Sequence, residues 1–232
     1  MRQQNIHYSI GWSAIGSAAL YVISIIGMQF YLAGSLENVQ AFAQNMVTHH
    51  TMMLLYGWPG LIATMAIIPV VYFLYKRDSK VAVQAKLAFA ITLVGLTFII
   101  VGYMFHLALT YFHAPLFPRS NEENSYALEY VFKTTIGLQD MFWLCGDLFA
   151  FLGIACIIIL GAKESVIPKH LNFIGIFASL LASIGSFGFI PAFKSYTLLS
   201  LMFISGFSLF ALWEIWLGIL LIRGKGNKVN LI

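Results

Sequence analysis

Six stretches of this chain are long and apolar enough to cross a lipid bilayer as helices. A helix needs about 20 residues to span the ~30 Å hydrocarbon core. The chain has 232 residues, 60% hydrophobic and 9% charged, whereas a soluble domain carries roughly a quarter charged residues. We therefore expect an all-α polytopic membrane helix bundle that forms a single domain over residues 1–232. The six stretches run approximately from Tyr8 to Gly34, Thr51 to Tyr75, Lys86 to His113, Gln139 to Gly161, Leu171 to Ala192 and Thr197 to Ile222.

Lysine and arginine residues gather at alternate ends of these stretches, and cytoplasmic loops are the ones that retain positive charge. Ten lie on one side: Arg2, Lys76, Arg77, Lys80, Lys86, Lys163, Lys169, Arg223, Lys225 and Lys228. Three lie on the other: Arg119, Lys133 and Lys194. This bias predicts that both termini face the cytoplasm, across a cell inner membrane. The net charge of +4 then reflects topology, and we expect no nucleic-acid partner.

Little of the chain lies outside the predicted spans, so we expect a single domain with no linker. The first apolar run of about 27 residues exceeds the core of a signal peptide, so we expect it to stay as an anchor. The largest loop is expected outside, from Ala114 to Thr135, and its second half around Tyr126 and Tyr130 is expected to form a short amphipathic helix at the interface. Cys145 and Cys156 are separated by about 16 Å of helical rise and cannot bridge each other.

Polar residues inside the bilayer are costly, so their depth is informative. Six of them fall at one outer level: His49, His50, His106, His113, Asp140 and Asp147. Tyr103, His106, Thr110 and His113 are spaced to form one stripe along the third helix. Glu214 is the exception, because it lies in the inner half of the last helix.

Each of these residues also has a purely structural interpretation. Solvation at the interface accounts for His49, His113 and Asp140. A hydrogen bond between helices explains His106 and Asp147 as well as a functional role does. We expect Glu214 to be neutral and to face the bundle interior, with Trp213 and Trp216 turned partly to other faces. The outer methionines Met28, Met46, Met52, Met53, Met104 and Met141 suggest gap-filling more than a copper site. The stripe Gly175, Ser179, Ser183 and Ser186 predicts close helix packing.

One segment resembles the first two helices of the catalytic subunit of haem-copper oxidases and nitric oxide reductases. It runs from Leu32 to Tyr75 and contains His50-Thr51, then Met52, Met53, Pro59, Gly60 and Pro69. In that family a histidine near the outer start of the second helix is an axial ligand of the low-spin haem. The resemblance implies this role for His50, and the predicted topology places His50 at the outer end of an inward-running helix.

The resemblance covers under a fifth of the chain, and the rest departs from the family. The family's catalytic subunit has about twice as many helices and further intramembrane histidines. Here the only histidine after His113 is His170, on the cytoplasmic side, so no binuclear centre can be assembled. The last three helices, ending in Trp213-Glu214-Ile215-Trp216, resemble small uncharacterised bacterial inner-membrane proteins.

Three functional hypotheses follow. The first is an oxidase-like, respiratory-type electron-transport protein that binds haem b between His50, or His49, and His106, with electron transfer or an accessory role favoured over catalysis. The second is a small proton- or cation-coupled transporter or channel that uses Asp147 and Glu214. The third is a structural accessory subunit of a larger membrane complex, in which the polar residues only hold helices together. Besides lipid, other subunits are the partners that these hypotheses imply.

Overall fold

The computed structural model describes residues 2–32, 39–76, 83–119, 122–162, 167–189 and 197–223. Seven α-helices lie within these ranges: α1 (Arg2–Leu32), α2 (Val39–Thr48), α3 (His50–Lys76), α4 (Val83–Ala108), α5 (Glu122–Gly161), α6 (Lys169–Gly185) and α7 (Thr197–Ile222). A π-helical turn, Leu109–His113, and a 3-10 helix, Ala114–Arg119, follow α4, and a second 3-10 helix, Ser186–Phe189, follows α6. The predicted boundaries Gly34 and Ala192 lie outside the described residues.

Six of the described helices are long and apolar enough to cross a membrane, which confirms the predicted all-α polytopic bundle. The six are α1, α3, α4, α5, α6 and α7. Each packs against the next along the chain, and α7 packs back against α1. The spans therefore form a closed ring in chain order. In a ring, each helix has one face toward the interior and one toward lipid. A polar side chain on the inner face is therefore shielded from lipid.

The region after α4 differs from the prediction. The expected loop from Ala114 to Thr135, with a separate interfacial helix, is wrong within the described residues: the 3-10 helix is followed by α5, which begins at Glu122 and runs for 40 residues. Phe132 explains the difference, because its ring is fully buried against Phe42 of α2 and Phe117 of the 3-10 helix. This contact anchors the first turns of α5 as part of one long helix.

Helices α4 and α5 approach closely along a pair of glycine rows. Gly95 and Gly102 are seven residues apart on α4, as Gly146 and Gly153 are on α5. A side chain at Gly95 would lie 2.2 Å from the backbone nitrogen of Ala150. Glycines at heptad spacing thus let two antiparallel backbones touch, and van der Waals packing of this kind is what holds helices together in lipid.

The predicted packing stripe on α6 is confirmed. Gly175, Ser179 and Ser183 are buried, and so is Ser186 just beyond the helix. A side chain at Gly175 would lie 2.6 Å from the indole nitrogen of Trp213 on α7. The small residues of α6 therefore make room for a large side chain from α7.

Candidate functional site: buried carboxyls along one face of the first helix

The inner face of α1 is joined to α3 by three serine hydroxyls. Ser13 donates to the carbonyl of Ala66 at 2.6 Å, Ser17 to that of Ala63 at 3.1 Å, and Ser24 to that of Tyr56 at 2.8 Å. The partner numbers fall as the serine numbers rise, so the two helices are antiparallel in fixed register. The carbonyls of Tyr56 and Ala66 each precede a proline of α3 by three residues, and hydroxyls from a neighbouring helix are a known way to satisfy backbone groups near such breaks.

Glu214 meets this face of α1 in the middle of the bundle. Its side chain is 0% exposed, which confirms the prediction that it faces the interior. One carboxyl oxygen lies 3.5 Å from the Ser17 hydroxyl, and the other has no hydrogen-bond partner among the described residues. Ser17 has a single proton and its contact with the Ala63 carbonyl is shorter, so a neutral Glu214 can donate its own proton to the Ser17 oxygen.

The tryptophans that flank Glu214 point elsewhere, as predicted. Trp216 is 44% exposed on the outer surface of the ring. Trp213 is buried, but it turns toward α6, where it covers Gly175. Neither tryptophan therefore shares the direction in which Glu214 reaches Ser17.

Asp147 lies on α5 and faces a cavity within the ring. The side chain is 3% exposed, and no described residue forms a hydrogen bond with its carboxyl. The cavity holds about 30 Å³, room for one or two water molecules. Its lining includes Asp147, the α1 residues Tyr21 and Ser24, and three aromatic residues: Tyr56, Tyr103 and Trp143.

Tyr21 lies on α1 between Ser17 and Ser24 and lines the cavity of Asp147. Its hydroxyl is 3.2 Å from the hydroxyl of Thr64, and the side chain lies within electrostatic range of both Glu214 and Asp147. Ser17, Tyr21 and Ser24 are spaced four and three residues apart, so they share one face of α1. The first touches Glu214, and the last lines the cavity of Asp147. About 10 Å of helical rise separates these two serines.

Three of the four residues of the predicted stripe on α4 lie on one buried face, and the fourth does not. Tyr103, His106 and Thr110 are buried, but His113 is half-exposed, with its Nδ1 atom 3.2 Å from the carbonyl of Ala108. The reason is the π-helical turn Leu109–His113, whose wider winding rotates the residues after it relative to the α-helical stripe. His113 therefore leaves the interior face to which Tyr103 and His106 belong.

The two predicted haem ligands occupy different surroundings. His106 is 0% exposed, and its Nε2 atom is 3.0 Å from the carbonyl of Met53. Its ring centroid is 4.7 Å from that of Tyr56. His50 is only partly buried, and its ring packs edge-on against Tyr111, which is 42% exposed. His106 thus belongs to the interior and His50 to the outer rim, next to the half-buried His49.

The remaining candidates do not form a metal site among the described residues. No group of three or more His, Cys, Asp or Glu side chains is close enough there to hold a metal ion. Met28, Met46 and Met53 are core residues, while Met104 and Met141 are exposed on the surface of the ring. The methionines are therefore divided between the core and the surface.

The polar face of α1 was not predicted from the sequence. Ser17, Tyr21 and Ser24 are individually ordinary residues for a membrane helix, and His7, also buried, lies near the predicted end of the span. Their spacing could have indicated a shared face, because residues three, four and seven positions apart lie on the same side of a helix.

The ring of six spans defines a multi-pass membrane protein with a few ionisable side chains buried in an apolar core. The chain belongs to the DUF4386 family, described as a domain of unknown function, whose sequence profile matches residues 11–224. No curated protein and no solved structure is significantly similar to it.

Proposed function

We propose that this protein is a small transporter or channel of the cytoplasmic membrane that moves protons or small cations, with Glu214 and Asp147 as its ion-binding groups. One observation carries the proposal: both carboxyls are buried inside the ring and near one face of α1, where Glu214 contacts Ser17 and Asp147 lines the cavity that Ser24 also lines. An ionisable group costs at least about 2.5 kcal/mol at the centre of a membrane helix, so two of them on one face suggest a path for charge.

Hydroxyl groups, which can relay protons, lie near both carboxyls. Tyr21 and Thr64 place two hydroxyls 3.2 Å apart, and Thr64 donates to the Gly60 carbonyl, so Tyr21 donates to Thr64. A hydroxyl both donates and accepts, so it can pass a proton along a chain of hydrogen bonds. The cavity beside Asp147 offers space for a bridging water where the side chains do not meet directly. Under the predicted topology, Glu214 serves the cytoplasmic half of this path and Asp147 the outer half.

Reconstitution in lipid vesicles tests the proposal. Purified protein in vesicles containing a pH-sensitive dye should speed the decay of an imposed pH gradient, or of a cation gradient, over protein-free vesicles. Glu214→Gln and Asp147→Asn keep the shape of each side chain but cannot carry charge, so each should lower the rate at least tenfold. Glu129→Gln is the matched control, because Glu129 is near the surface and bonded only to the neighbouring Lys133 at 2.7 Å.

The results separate the hypotheses. Flux that is lost in both interior variants and kept in the Glu129 variant supports the proposal. Equal flux in all variants contradicts it. Folded protein with no flux of protons or cations leaves the polar residues with a structural role, as in an accessory subunit of a membrane complex.

Binding of haem b is a second candidate, favoured by the surroundings of His106. This buried imidazole lies in an aromatic shell with Tyr56 and Trp143, at ring distances of 4.7 and 6.2 Å, and apolar shells of this kind tune haem potentials. Ligation together with His50, as the resemblance to haem-copper oxidases implies, requires the Nε2 atom of His106 to leave the Met53 carbonyl. A Soret band in the purified protein that is lost in His50→Ala and His106→Ala would support this candidate; a protein that takes up no haem would refute it.

A further inference from the structure

The cavity beside Asp147 has a lining suited to a particular class of ion. Three of the aromatic rings that line it pack against one another: the centroids of Tyr56 and Tyr103 are 5.7 Å apart, those of Tyr56 and Trp143 are 5.4 Å apart, and those of Tyr103 and Trp143 are 5.7 Å apart. We propose that this cavity binds a weakly hydrated monovalent cation of about the size of a water molecule, with ammonium and K⁺ as the candidates. The inference rests on the proposed function, because it names the ion that Asp147 would bind.

Charge is the first argument. Asp147 is 3% exposed and points into the cavity, where no described residue forms a hydrogen bond with it. Among the described residues, the one ion pair is between Lys133 and Glu129 on the exposed part of α5. A buried carboxylate needs a compensating charge. In the described part of the chain no lysine or arginine lines the cavity, so a proton or a bound cation has to supply that charge.

Size is the second argument. The cavity of about 30 Å³ has room for one or two water molecules, and so for an ion of that size. Ammonium and K⁺ fit this space, whereas choline and other organic cations do not. Hydrated divalent ions do not fit either, because an ion such as Mg²⁺ gives up its water shell reluctantly.

The chemistry of the lining is the third argument. Aromatic faces attract cations through the ring quadrupole, and tryptophan is the most effective of them. The hydroxyl of Ser24 donates its proton to the Tyr56 carbonyl, and its oxygen accepts a hydrogen bond from the Tyr103 hydroxyl at the edge of the cavity. Aromatic rings, one carboxylate and uncharged hydroxyls line the cavity, and this lining favours weakly hydrated ions over Na⁺, which holds its water more strongly.

Cation titration of the purified protein in detergent tests this inference independently of transport. Ammonium, K⁺ and Na⁺ chlorides are each added at constant ionic strength, balanced with N-methylglucamine chloride, while the unfolding temperature and the heat of binding are measured. We expect saturable stabilisation by ammonium or K⁺ at concentrations where Na⁺ and N-methylglucamine have little effect. Asp147→Asn should abolish the saturable effect, and Glu129→Gln should keep it.

A second variant tests the site even if Asp147→Asn fails to fold. Trp143→Phe keeps an aromatic ring but a weaker one, so it should weaken cation binding by about two- to fivefold. Equal responses to all the cations, or a saturable response that Asp147→Asn retains, would overturn the inference. Proton flux without cation binding would overturn it and leave the proposed function standing. Cation binding without flux would support this site and contradict the proposed function.

Discussion

The Ser17 hydroxyl oxygen lies 3.5 Å from a carboxyl oxygen of Glu214, although 197 positions separate the two residues in the chain. The contact closes the ring of helices, because it joins the first span to the last. Gly11 of α1 and Gly218 of α7 continue the same interface: a side chain at Gly11 would lie 2.8 Å from the carbonyl oxygen of Gly218. The interior carboxyl is therefore held where α1 and α7 pack most closely.

Ser17→Ala is expected to reduce ion flux while the protein stays folded. The variant loses the contact with Glu214 and the hydrogen bond to Ala63, and hydrogen bonds between membrane helices average about 0.6 kcal/mol. Ser13→Ala is the matched control, because Ser13 makes the same kind of bond, to Ala66, and no carboxyl contact is found for it. Thermal unfolding should change similarly in both variants, and vesicle flux should fall in Ser17→Ala alone. A similar loss of flux in both would assign the effect to helix packing.

Gly95→Ala is expected to destabilise the bundle by several kcal/mol. The new methyl group would lie 2.2 Å from the backbone nitrogen of Ala150, so α4 and α5 would have to move apart. Gly137→Ala, on α5, is the control, because nothing lies within 4 Å of the added carbon, and alanine there should stabilise the helix by about 0.5–1 kcal/mol. Unfolding temperatures in one detergent compare the two. Equal stability would show that α4 and α5 do not touch at Gly95.

His106→Leu is expected to cost more stability than His50→Leu. His106 is buried and bonded to the carbonyl of Met53, whereas His50 lies half-exposed against Tyr111. Removing one partner of a buried hydrogen bond lowers the free energy of unfolding by about 1–3 kcal/mol, and removing a partly exposed ring contact lowers it by less. Unfolding temperatures of both variants in detergent measure the difference. A larger loss from His50→Leu would mean that the rim histidine has a stronger interaction, such as metal ligation.

The orientation of the ring is tested by labelling single cysteines. Cys145 and Cys156 are first replaced by alanine, and a cysteine is then placed at Lys80 or at Ser120. The charge bias predicts that an impermeant thiol reagent added to intact cells labels the Ser120 position and not the Lys80 position. Labelling of Lys80 from outside would reverse the topology and, with it, the assignment of Glu214 to the cytoplasmic half.

The number of spans, the inward-facing Glu214 and the packing stripe on α6 could be predicted without a structure. Each depends on properties of one segment: about 20 apolar residues cross a bilayer wherever they occur, and an ionisable side chain avoids lipid whatever its neighbours are. The regularity of a helix then assigns residues such as Gly175 and Ser179 to one face.

The length of α5 could not be predicted from the properties of one segment, and neither could the position of His113 away from the face of Tyr103 and His106. The first depends on the contacts that Phe132 makes with Phe42 and Phe117, and the second on a π-helical turn. Neither feature can be read from the hydropathy of the sequence, because each depends on contacts or backbone geometry where two segments meet.

A six-span membrane bundle and its ionisable residues thus follow from the sequence alone, since the hydrophobic effect acts on each segment separately. The contact of Ser17 with Glu214 is visible only in the folded protein, as is the cavity that Asp147 shares with Tyr103 and Trp143. Those pairings depend on which helix faces meet when the ring closes, and close packing between distant segments sets that choice.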